Sequence, residues 1–332
     1  MSQLAQIQAF SKKVTEYLTQ TFFKSGKLGY TKLALASLLA FWGLNFLARQ
    51  HGLLRKKSVK GSHVFITGAG SGLGKQMAIH FARLGAKVSL TDINLQAVEA
   101  VELLIKAEGL QSKAIFCDVA NVQSVKDAAK IARETFGDVE ILINNAGIVS
   151  GKKLLDSNEK MIEKTLQVNT ISHAYTVREF LPAMLQHNKG HIVTIASAAG
   201  TVGVCGLADY CASKFGAFGF DESLRMELKK MGSKVRTTCI CPYYINTGMF
   251  DGVRSKYEFL LPILQESYVS KRIVNAILQE ERVVVLPAIV NVIFLSRAIF
   301  PVWLFDSLCN ILGINQTMDH FVGRTNPTKT AV

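Results

Sequence analysis

The sequence predicts an α/β fold in which one doubly wound parallel sheet carries helices on both faces. From Ser62 onward, short apolar runs alternate with longer amphipathic runs, as expected for strands joined by crossover helices. The first apolar run leads directly into a glycine-rich segment. A chain of 332 residues is long enough to bury a substantial core, so it fits one large domain or two small ones.

The predicted strands are short apolar runs bounded by turn residues. They lie at 63–67, 87–91, 113–117, 141–143, 191–196, 235–240 and 282–286. The predicted helices have apolar residues three and four positions apart, which gives each helix one face that can pack on the sheet. They lie at 73–84, 95–108, 122–136, 161–186, 208–230 and 269–278. We therefore expect one domain at 61–286, between an N-terminal region at 1–60 and a tail at 287–332.

The net charge of +13 is concentrated near the start of the chain, where residues 1–60 contain ten Lys or Arg residues and one acidic residue. A basic excess beside an apolar stretch fits an anionic membrane surface better than a nucleic-acid groove, so no nucleic-acid binding is expected. The six cysteines and seven histidines show neither CxxC pairs nor zinc-ligand spacing. We therefore expect reduced thiols and no metal site.

An uncharged apolar segment lies inside the basic region. Its sixteen residues, 33–48, would form a helix about 24 Å long, shorter than a hydrocarbon core of about 30 Å. Extension back to Leu28, with Lys32 reaching the surface, gives 21 residues and about 31 Å. We expect a retained anchor at 28–48 that spans the membrane, forms a hairpin or lies at the interface; a buried or amphipathic helix is the alternative. The basic cluster after it favours a cytosolic catalytic domain.

Two further apolar segments follow the predicted strands. The tail at 287–332 is interrupted by prolines and charged residues, so it cannot form an uninterrupted membrane span. We expect it to insert at a membrane surface or to pack over the substrate site. The segment after Thr247 is expected to form an apolar flap over the site, with core or dimer contacts as the alternative.

The glycine-rich segment lies between the first predicted strand and the first predicted helix. Glycines allow a tight turn and a close approach of the main chain to a pyrophosphate, whose charge is met by main-chain N–H groups and the helix N-terminus. This context predicts a Rossmann-type dinucleotide site. Its candidate contacts are Gly68, Ser71, Gly72, Leu73 and Gly74.

Asp92 ends the second predicted strand. Its carboxylate can accept hydrogen bonds from the ribose hydroxyls of adenosine and would repel a 2′-phosphate, so NAD is expected rather than NADP. The alternative is that Asp92 only begins a turn with Asn94, and the nearby Arg83 and Lys87 leave NADP disfavoured rather than excluded. Asp118 ends the third strand, where it could meet the adenine or serve as an ordinary turn residue.

Tyr210 and Lys214 lie four residues apart on the predicted helix at 208–230, which places them on one face. A phenol with its usual pKa of about 10 is seldom ionised at neutral pH, and a neighbouring ammonium group favours the phenolate and lowers that pKa. Ser197, at the end of the fifth strand, could hold a substrate oxygen while the proton moves. The three residues predict an acid/base centre.

Residues 61–286 resemble the short-chain dehydrogenases/reductases. The motifs that carry the resemblance are TGAGSGLG at 67–74, Asp118, NNAG at 144–147, Asn169, Ser197, and Tyr210 with Lys214. The resemblance implies that Tyr210 is the general acid/base and that Lys214 lowers its pKa and binds the nicotinamide ribose. It also implies that Ser197 orients the substrate and that Asn169 holds a water molecule in a proton relay.

The same resemblance implies that the NNAG segment stabilises the central sheet and walls the cofactor site. Carried over position by position, the further cofactor contacts are Val119, Asn145, Ala146, Gly147, Pro242, Ile245 and Thr247. One departure is that Tyr243 follows Pro242, where many members of the family have glycine. This departure leaves the expected chemistry intact and the conformation of the loop open.

Within the family, the chain is most similar to the membrane-associated branch that contains retinol dehydrogenases and 17β-hydroxysteroid dehydrogenases. This similarity implies NAD-dependent oxidation of a hydrophobic alcohol, with all-trans-retinol to retinal as the first expectation, on the endoplasmic reticulum or lipid droplets. A dehydrogenase of steroids or other lipid alcohols and ketones is the alternative within enzymes. A non-catalytic lipid-droplet protein is the alternative from another class, and a homo-oligomer is left open.

Overall fold

The structure is a computed structural model that describes residues 56–323 and, nearer the N-terminus, the isolated positions 16, 36, 37, 40, 43, 44 and 48. The chain divides into two units, Met1–Lys57 and Ser58–Val332, and the fold belongs to the second. Most of the expected anchor at 28–48 lies outside the described residues, so it stays a prediction. Within the described part of the chain, no helix combines the length and apolar character that a membrane crossing requires.

One sheet of seven parallel strands forms the centre of the second unit, in the order β3-β2-β1-β4-β5-β6-β7. The strands are β1 His63–Thr67, β2 Lys87–Asp92, β3 Ser112–Phe116, β4 Ile141–Asn144, β5 His191–Ile195, β6 Arg236–Pro242 and β7 Val283–Leu286. The expected doubly wound parallel sheet is confirmed. Every predicted strand is present, and no strand end differs from its prediction by more than two residues.

Helices cover both faces of the sheet. They are α1 Gly72–Arg83, α2 Leu95–Ala107, α3 Val122–Phe136, α4 Glu159–Leu166, α5 Ser172–Gln186, α6 Ala208–Lys230 and α7 Glu266–Leu278. The side chains of α1, α2 and α7 pack with Val64 and Ile66 of β1 on one face. Those of α3, α5 and α6 pack with Phe65 on the other face. Both faces of β1 are therefore buried, which explains its continuous apolar sequence.

The long helix expected at 161–186 consists of α4 and α5 joined by one wider turn, Gln167–Ile171. In this turn the main-chain hydrogen bonds join residues five apart instead of four, as in a π-helix. Such single π-helical turns are frequent at functional sites. Asn169 lies in the middle of the turn and is fully buried. The local change in helical geometry therefore coincides with a residue of the predicted site.

The tail forms two helices, α8 Val290–Ile299 and α9 Val302–Ile311, separated by Pro301. Its inner side chains pack in one apolar cluster with the loop after β5 and the segment after β6. Its outer side chains are exposed and include Val292, Leu295, Ile299, Val302 and Trp303. The inner side of the tail therefore packs against the domain, and insertion of its outer side at a membrane stays a prediction.

Candidate active site

A cleft with an empty volume of about 1280 Å³ lies at the carboxyl ends of the strands. In this fold such a cleft forms where the strand order reverses, here between β1 and β4. It brings together most of the predicted site residues: Gly68, Ser71, Gly72, Leu73, Asp92, Asp118, Val119, Asn145, Ala146, Gly147, Ser197, Tyr210, Lys214, Pro242, Ile245 and Thr247. Of the predicted residues, Gly74 and Asn169 do not line the cleft.

The glycine turn after β1 is tightly packed. A Cβ atom on Gly74 would lie 2.1 Å from the main-chain oxygen of Gly68, whose φ is +65°. Gly74 therefore does not face the cleft; its lack of a side chain allows α1 to pack closely against the turn. The amide of Asn145 donates to the main-chain oxygens of Thr67 and Gly68 at 2.9 and 3.0 Å, so the end of β4 fixes the turn that follows β1.

The turn also fits the pyrophosphate of a dinucleotide. The N-terminus of α1 has no side-chain cap and no acidic residue in its first turn, so its N–H groups and its positive dipole end are free for an anion. A side chain on Gly68 or Gly74 would collide with neighbouring main-chain atoms, so the turn can follow this path only with glycine at these positions. The expected role of the glycine motif is consistent with this geometry.

Asp92 lines the cleft and also serves the turn that follows β2. Its Oδ2 accepts a hydrogen bond from the main-chain N–H of Gly70 at 3.1 Å, and its Oδ1 accepts one from Asn94 at 3.0 Å. The two interpretations of Asp92 from the sequence are therefore compatible. Oδ2 of Asp118 lies 3.5 Å from Nζ of Lys164. Lys164 also lines the cleft and was not predicted from the sequence.

Tyr210 and Lys214 lie in the first turns of α6 and are both buried. The Nζ atom of Lys214 donates to the main-chain oxygen of Ile195 at 2.8 Å and lies 5.7 Å from the centre of the Tyr210 ring. The helix spacing thus brings the phenol and the ammonium group together, and the end of β5 holds the ammonium group in place.

Burial acts on both titratable groups. It raises the pKa of Tyr210, and a hydrogen bond with Ser197 acts in the opposite direction. It also lowers the pKa of Lys214 to about 8, while the nearby thiols of Cys239 and Cys241 act to raise it. The pKa of Tyr210 in the chain alone is thus shifted in the opposite direction to the expected one, because the desolvation of a buried phenolate outweighs the effect of its neighbours.

Ser197 begins the short turn Ala198–Gly200 after β5. Its Oγ accepts from the main-chain N–H of Ala199 at 3.1 Å and is 3.4 Å from the oxygen of Pro242. The turn therefore fixes the hydroxyl beside Tyr210, where it can hold an oxygen of a substrate.

Asn169 uses its amide inside the protein. It accepts from the main-chain N–H of Ile148 and donates to the oxygen of the same residue, both at 2.9 Å. It also donates to Oγ of Ser213 at 2.9 Å. This clamp fixes the segment after NNAG against α6. The implied role of Asn169 in a water relay stays a prediction.

A second cavity, with an empty volume of about 540 Å³, adjoins the cleft. The two share Ser197, Tyr210, Tyr243 and Phe250. The remaining walls are almost entirely apolar: Ala198, Ala199, Val202, Val204, Leu207, Tyr244, Val290, Ile293 and Ile314. The walls at 198–207 and at Tyr243–Tyr244 were not predicted from the sequence, although the apolar residues that directly follow β5 and β6 were a usable signal.

The flap and the tail form one roof over the second cavity. Main-chain N–H groups of Val322 and Gly323 donate to the oxygen of Asp251 at 2.8 and 3.0 Å. The hydroxyls of Tyr244 and Thr317 lie 3.0 Å apart. The expected apolar flap after Thr247 is present in part, since Phe250 lines the cavity whereas Phe259 is 88% exposed.

A metal site is not formed by the residues that the structure describes, among which no group of three or more His, Cys, Asp or Glu side chains could hold an ion. Three of the four residues that the cleft and the cavity share carry a hydroxyl group: Ser197, Tyr210 and Tyr243. The arrangement can therefore hold a dinucleotide on one side and an apolar molecule on the other, with a proton-transfer group between them.

Comparison with known proteins agrees with this geometry. The family model described as short chain dehydrogenase matches residues 62–258. Epidermal retinol dehydrogenase 2 of Homo sapiens is 44% identical over 269 residues, which cover 80% of this chain and 87% of that protein.

Two solved structures share the fold. A short chain dehydrogenase/reductase from Burkholderia phymatum in complex with NAD has a TM-score of 0.66 at 27% identity and covers 73% of this chain and 96% of its own. A metagenomic short-chain oxidoreductase in complex with NADP has a TM-score of 0.53 at 32% identity and covers 56% of this chain and 84% of its own. The match to the family model spans more than half of the chain and includes the glycine turn, Ser197, Tyr210 and Lys214. The chain therefore belongs to the short-chain dehydrogenase family of oxidoreductases.

Proposed function

We propose that the protein is an NAD-dependent dehydrogenase that oxidises a hydrophobic alcohol, with all-trans-retinol to retinal as the first candidate reaction. The observation that carries the proposal is the apolar cavity that meets the dinucleotide cleft at Ser197 and Tyr210. An alcohol whose apolar body fills this cavity would present its carbinol group at the junction. The human relative named epidermal retinol dehydrogenase 2 supports the choice of retinol.

The proposed roles follow from the contacts at the junction. A bound dinucleotide would supply the hydride acceptor for the carbinol carbon. Ser197 would donate a hydrogen bond to the alcohol oxygen, and Tyr210 would accept the hydroxyl proton as the carbonyl forms. Because burial raises the pKa of Tyr210 in the chain alone, a charge that favours the phenolate must act during turnover. The ammonium group of Lys214, 5.7 Å from the ring centre, is suited to that task.

The preference for NAD rests on Asp92. Its carboxylate lines the cleft at the end of β2, where it would accept hydrogen bonds from a ribose diol and repel a 2′-phosphate. The related structures contain NAD in one case and NADP in the other, so the family alone does not choose between the two cofactors. The charge of Asp92 supports NAD.

The substrate class rests on the walls of the cavity. Valine, isoleucine, leucine and alanine side chains form most of the lining, and the hydroxyl of Tyr244 already pairs with Thr317. A substrate with a charged tail would lose its hydration there without gaining a partner. The cavity thus supports a neutral, lipid-like alcohol, and a 17β-hydroxysteroid is the second candidate because a rigid apolar body would meet the same walls.

A membrane location is part of the proposal. The exposed apolar side chains of α8 and α9 and the apolar segment at 28–48 would hold the protein at the endoplasmic reticulum or lipid droplets, with the catalytic domain in the cytosol. A chain without residues 1–55 and a full chain with Trp303→Ser and Val302→Ser test the two contributions by flotation with liposomes. Membrane retention at high salt in both variants and in their combination would contradict this part of the proposal.

The activity is tested by NAD reduction with the full chain reconstituted in liposomes. All-trans-retinol, a 17β-hydroxysteroid and a long-chain primary alcohol are compared side by side, with Tyr210→Phe as the inactive reference. We expect turnover of all-trans-retinol at the highest kcat/KM. Turnover of the steroid alone would replace retinol by the second candidate. An absence of turnover with every alcohol, under conditions where NAD binds, would contradict the dehydrogenase proposal.

A further inference from the structure

Arg297 makes two contacts from α8 to the elements that carry the active site. Its Nη1 donates a hydrogen bond to the main-chain oxygen of Thr201 at 2.7 Å. Its guanidinium carbon lies 5.1 Å from the ring centre of Phe215. The bond to Thr201 is partly buried, so it is less weakened by water than a fully exposed contact would be.

The two contacts of Arg297 reach both elements that carry the predicted catalytic residues, namely the turn that follows Ser197 and the helix α6. Thr201 directly follows the turn Ala198–Gly200, which begins at Ser197, and its Oγ1 donates to the oxygen of Ala198 at 2.7 Å. Phe215 is the residue after Lys214. The turn and α6 are themselves in close contact, because a Cβ atom on Gly200 would lie 2.6 Å from the oxygen of Lys214. Arg297 therefore contacts both the turn that follows Ser197 and the helix α6 that packs against this turn.

The same helix supplies part of the substrate cavity. Val290 and Ile293 precede Arg297 by seven and four residues on α8, so the three residues share one helix face. Both apolar residues line the second cavity. A displacement of this part of α8 would therefore also move Arg297 relative to Thr201 and change the hydrogen bond between them.

We propose that Arg297 is a positioning residue that couples the C-terminal wall of the substrate cavity to the Ser197 turn. The inference rests on the proposed oxidation of a hydrophobic alcohol at this site. A guanidinium group suits the task because it donates a charge-assisted hydrogen bond to the carbonyl while it lies over the face of an aromatic ring. A lysine has a single ammonium group in place of the guanidinium fork and is less suited to make both contacts at once.

The first test needs no substrate. Hydrogen exchange is measured on the full chain as wild type, Arg297→Met, Arg297→Lys and Arg83→Met. Arg83 serves as the matched control because it pairs with Glu108 at the far end of α1, away from the cleft. We expect faster exchange of the amides at 198–204 in Arg297→Met, a smaller effect in Arg297→Lys, and none in Arg83→Met. Unchanged exchange in Arg297→Met would overturn the proposal.

The second test separates kcat from KM with a long hydrophobic alcohol and with a small secondary alcohol. Because Ser197 holds the alcohol oxygen of either substrate, we expect Arg297→Met to lower kcat about tenfold for both. Because the small alcohol would fill less of the cavity that Val290 and Ile293 line, KM should rise mainly for the long alcohol. Arg297→Lys should recover part of kcat.

The outcomes keep this proposal apart from the proposed function. If the wild type oxidises neither alcohol, the dehydrogenase proposal fails and the exchange experiment alone decides the role of Arg297. If the wild type is active and Arg297→Met retains its kcat and both KM values, the coupling is wrong. Losses in Arg297→Met that only follow its melting temperature, as in Arg83→Met, would also contradict it.

Discussion

Lys214 donates a hydrogen bond from Nζ to the main-chain oxygen of Ile195 at 2.8 Å. Ile195 ends β5, and Ser197 follows two residues later. The bond therefore joins the helix that carries Tyr210 to the strand that presents Ser197. Gly147 also lies beside the ammonium group, since an added Cβ atom there would be 3.6 Å from Nζ. The fold of the chain alone thus fixes the lysine within the acid/base centre.

Replacement of Tyr210 by Phe tests the acid/base centre. The variant keeps the ring, which lies 5.7 Å from that of Phe250, and loses only the group that takes the proton. We expect kcat/KM for the alcohol to fall by about 100- to 10,000-fold, with the dissociation constant for NADH little changed. Steady-state kinetics and fluorescence titration with NADH measure the two quantities.

Tyr244→Phe is the matched control for this experiment. It also removes a phenol hydroxyl from the wall of the cavity, but that hydroxyl pairs with Thr317. We expect its kcat/KM to stay within about threefold of the wild type, since a lost neutral hydrogen bond acts mainly on stability. Equal losses in the two variants would mean that Tyr210 has no special role in proton transfer.

Replacement of Asp92 by Asn tests the cofactor preference. Asn removes the negative charge and keeps one acceptor oxygen, which can retain one of the two hydrogen bonds that Gly70 and Asn94 now donate to different carboxylate oxygens. We expect the wild type to favour NAD, and the ratio of kcat/KM values for NAD and NADP to fall about tenfold in the variant. Asp118→Asn is the control, because a change there should act on both cofactors alike. A wild-type preference for NADP would contradict the role of Asp92.

The sequence was sufficient to predict the sheet because parallel strands covered on both faces are continuous apolar runs, as at 63–67. The proximity of Tyr210 and Lys214 was also predictable, since the helix repeat alone brings residues four apart together. Most candidate residues met in one cleft because most of them lie at or just after the carboxyl ends of strands.

Contacts between distant segments were not predictable in the same way. Lys164 approaches Asp118, and Phe321 packs where a side chain on Gly151 would lie. Such pairs depend on how loops cross the edge of the sheet, and no local repeat in the sequence encodes that path. The upward shift of the pKa of Tyr210 was not predicted for a related reason. The shift follows from burial, and Tyr210 is buried by segments that are distant in the sequence.

Gly252 tests the roof formed by the flap and the tail. Its φ is +89°, and an added Cβ atom would lie 2.0 Å from the main-chain oxygen of His320. We expect Gly252→Ala to cost about 1–3 kcal/mol of stability and to raise KM for a long alcohol by loosening the roof. Gly203→Ala is the control, because an added Cβ atom there meets nothing within 4 Å. Calorimetry and kinetics that fail to distinguish the two variants would contradict the close packing of the roof.

Asp221 provides a pH test of the core under the active site. It is buried on α6, and burial raises its pKa to about 6 from a usual value of 3.8. Between these two pH values the folded chain binds more protons at this position than the unfolded chain does, so the free energy of unfolding decreases as the pH rises through the window. The shift of about two units corresponds to about 3 kcal/mol. Arg225, Glu222 and Cys239 are the other titratable groups that interact with it.

Asp221→Asn removes this titration while it keeps the size of the side chain. We expect the variant to gain stability relative to the wild type as the pH rises from about 4 to 7, with little further change above that range. Denaturant unfolding at a series of pH values measures the difference between the two proteins. Glu222→Gln, at the neighbouring exposed position, is the control for the loss of a carboxylate from the same helix. A difference between Asp221→Asn and the wild type that is constant with pH would mean that Asp221 titrates alike in the folded and unfolded chains.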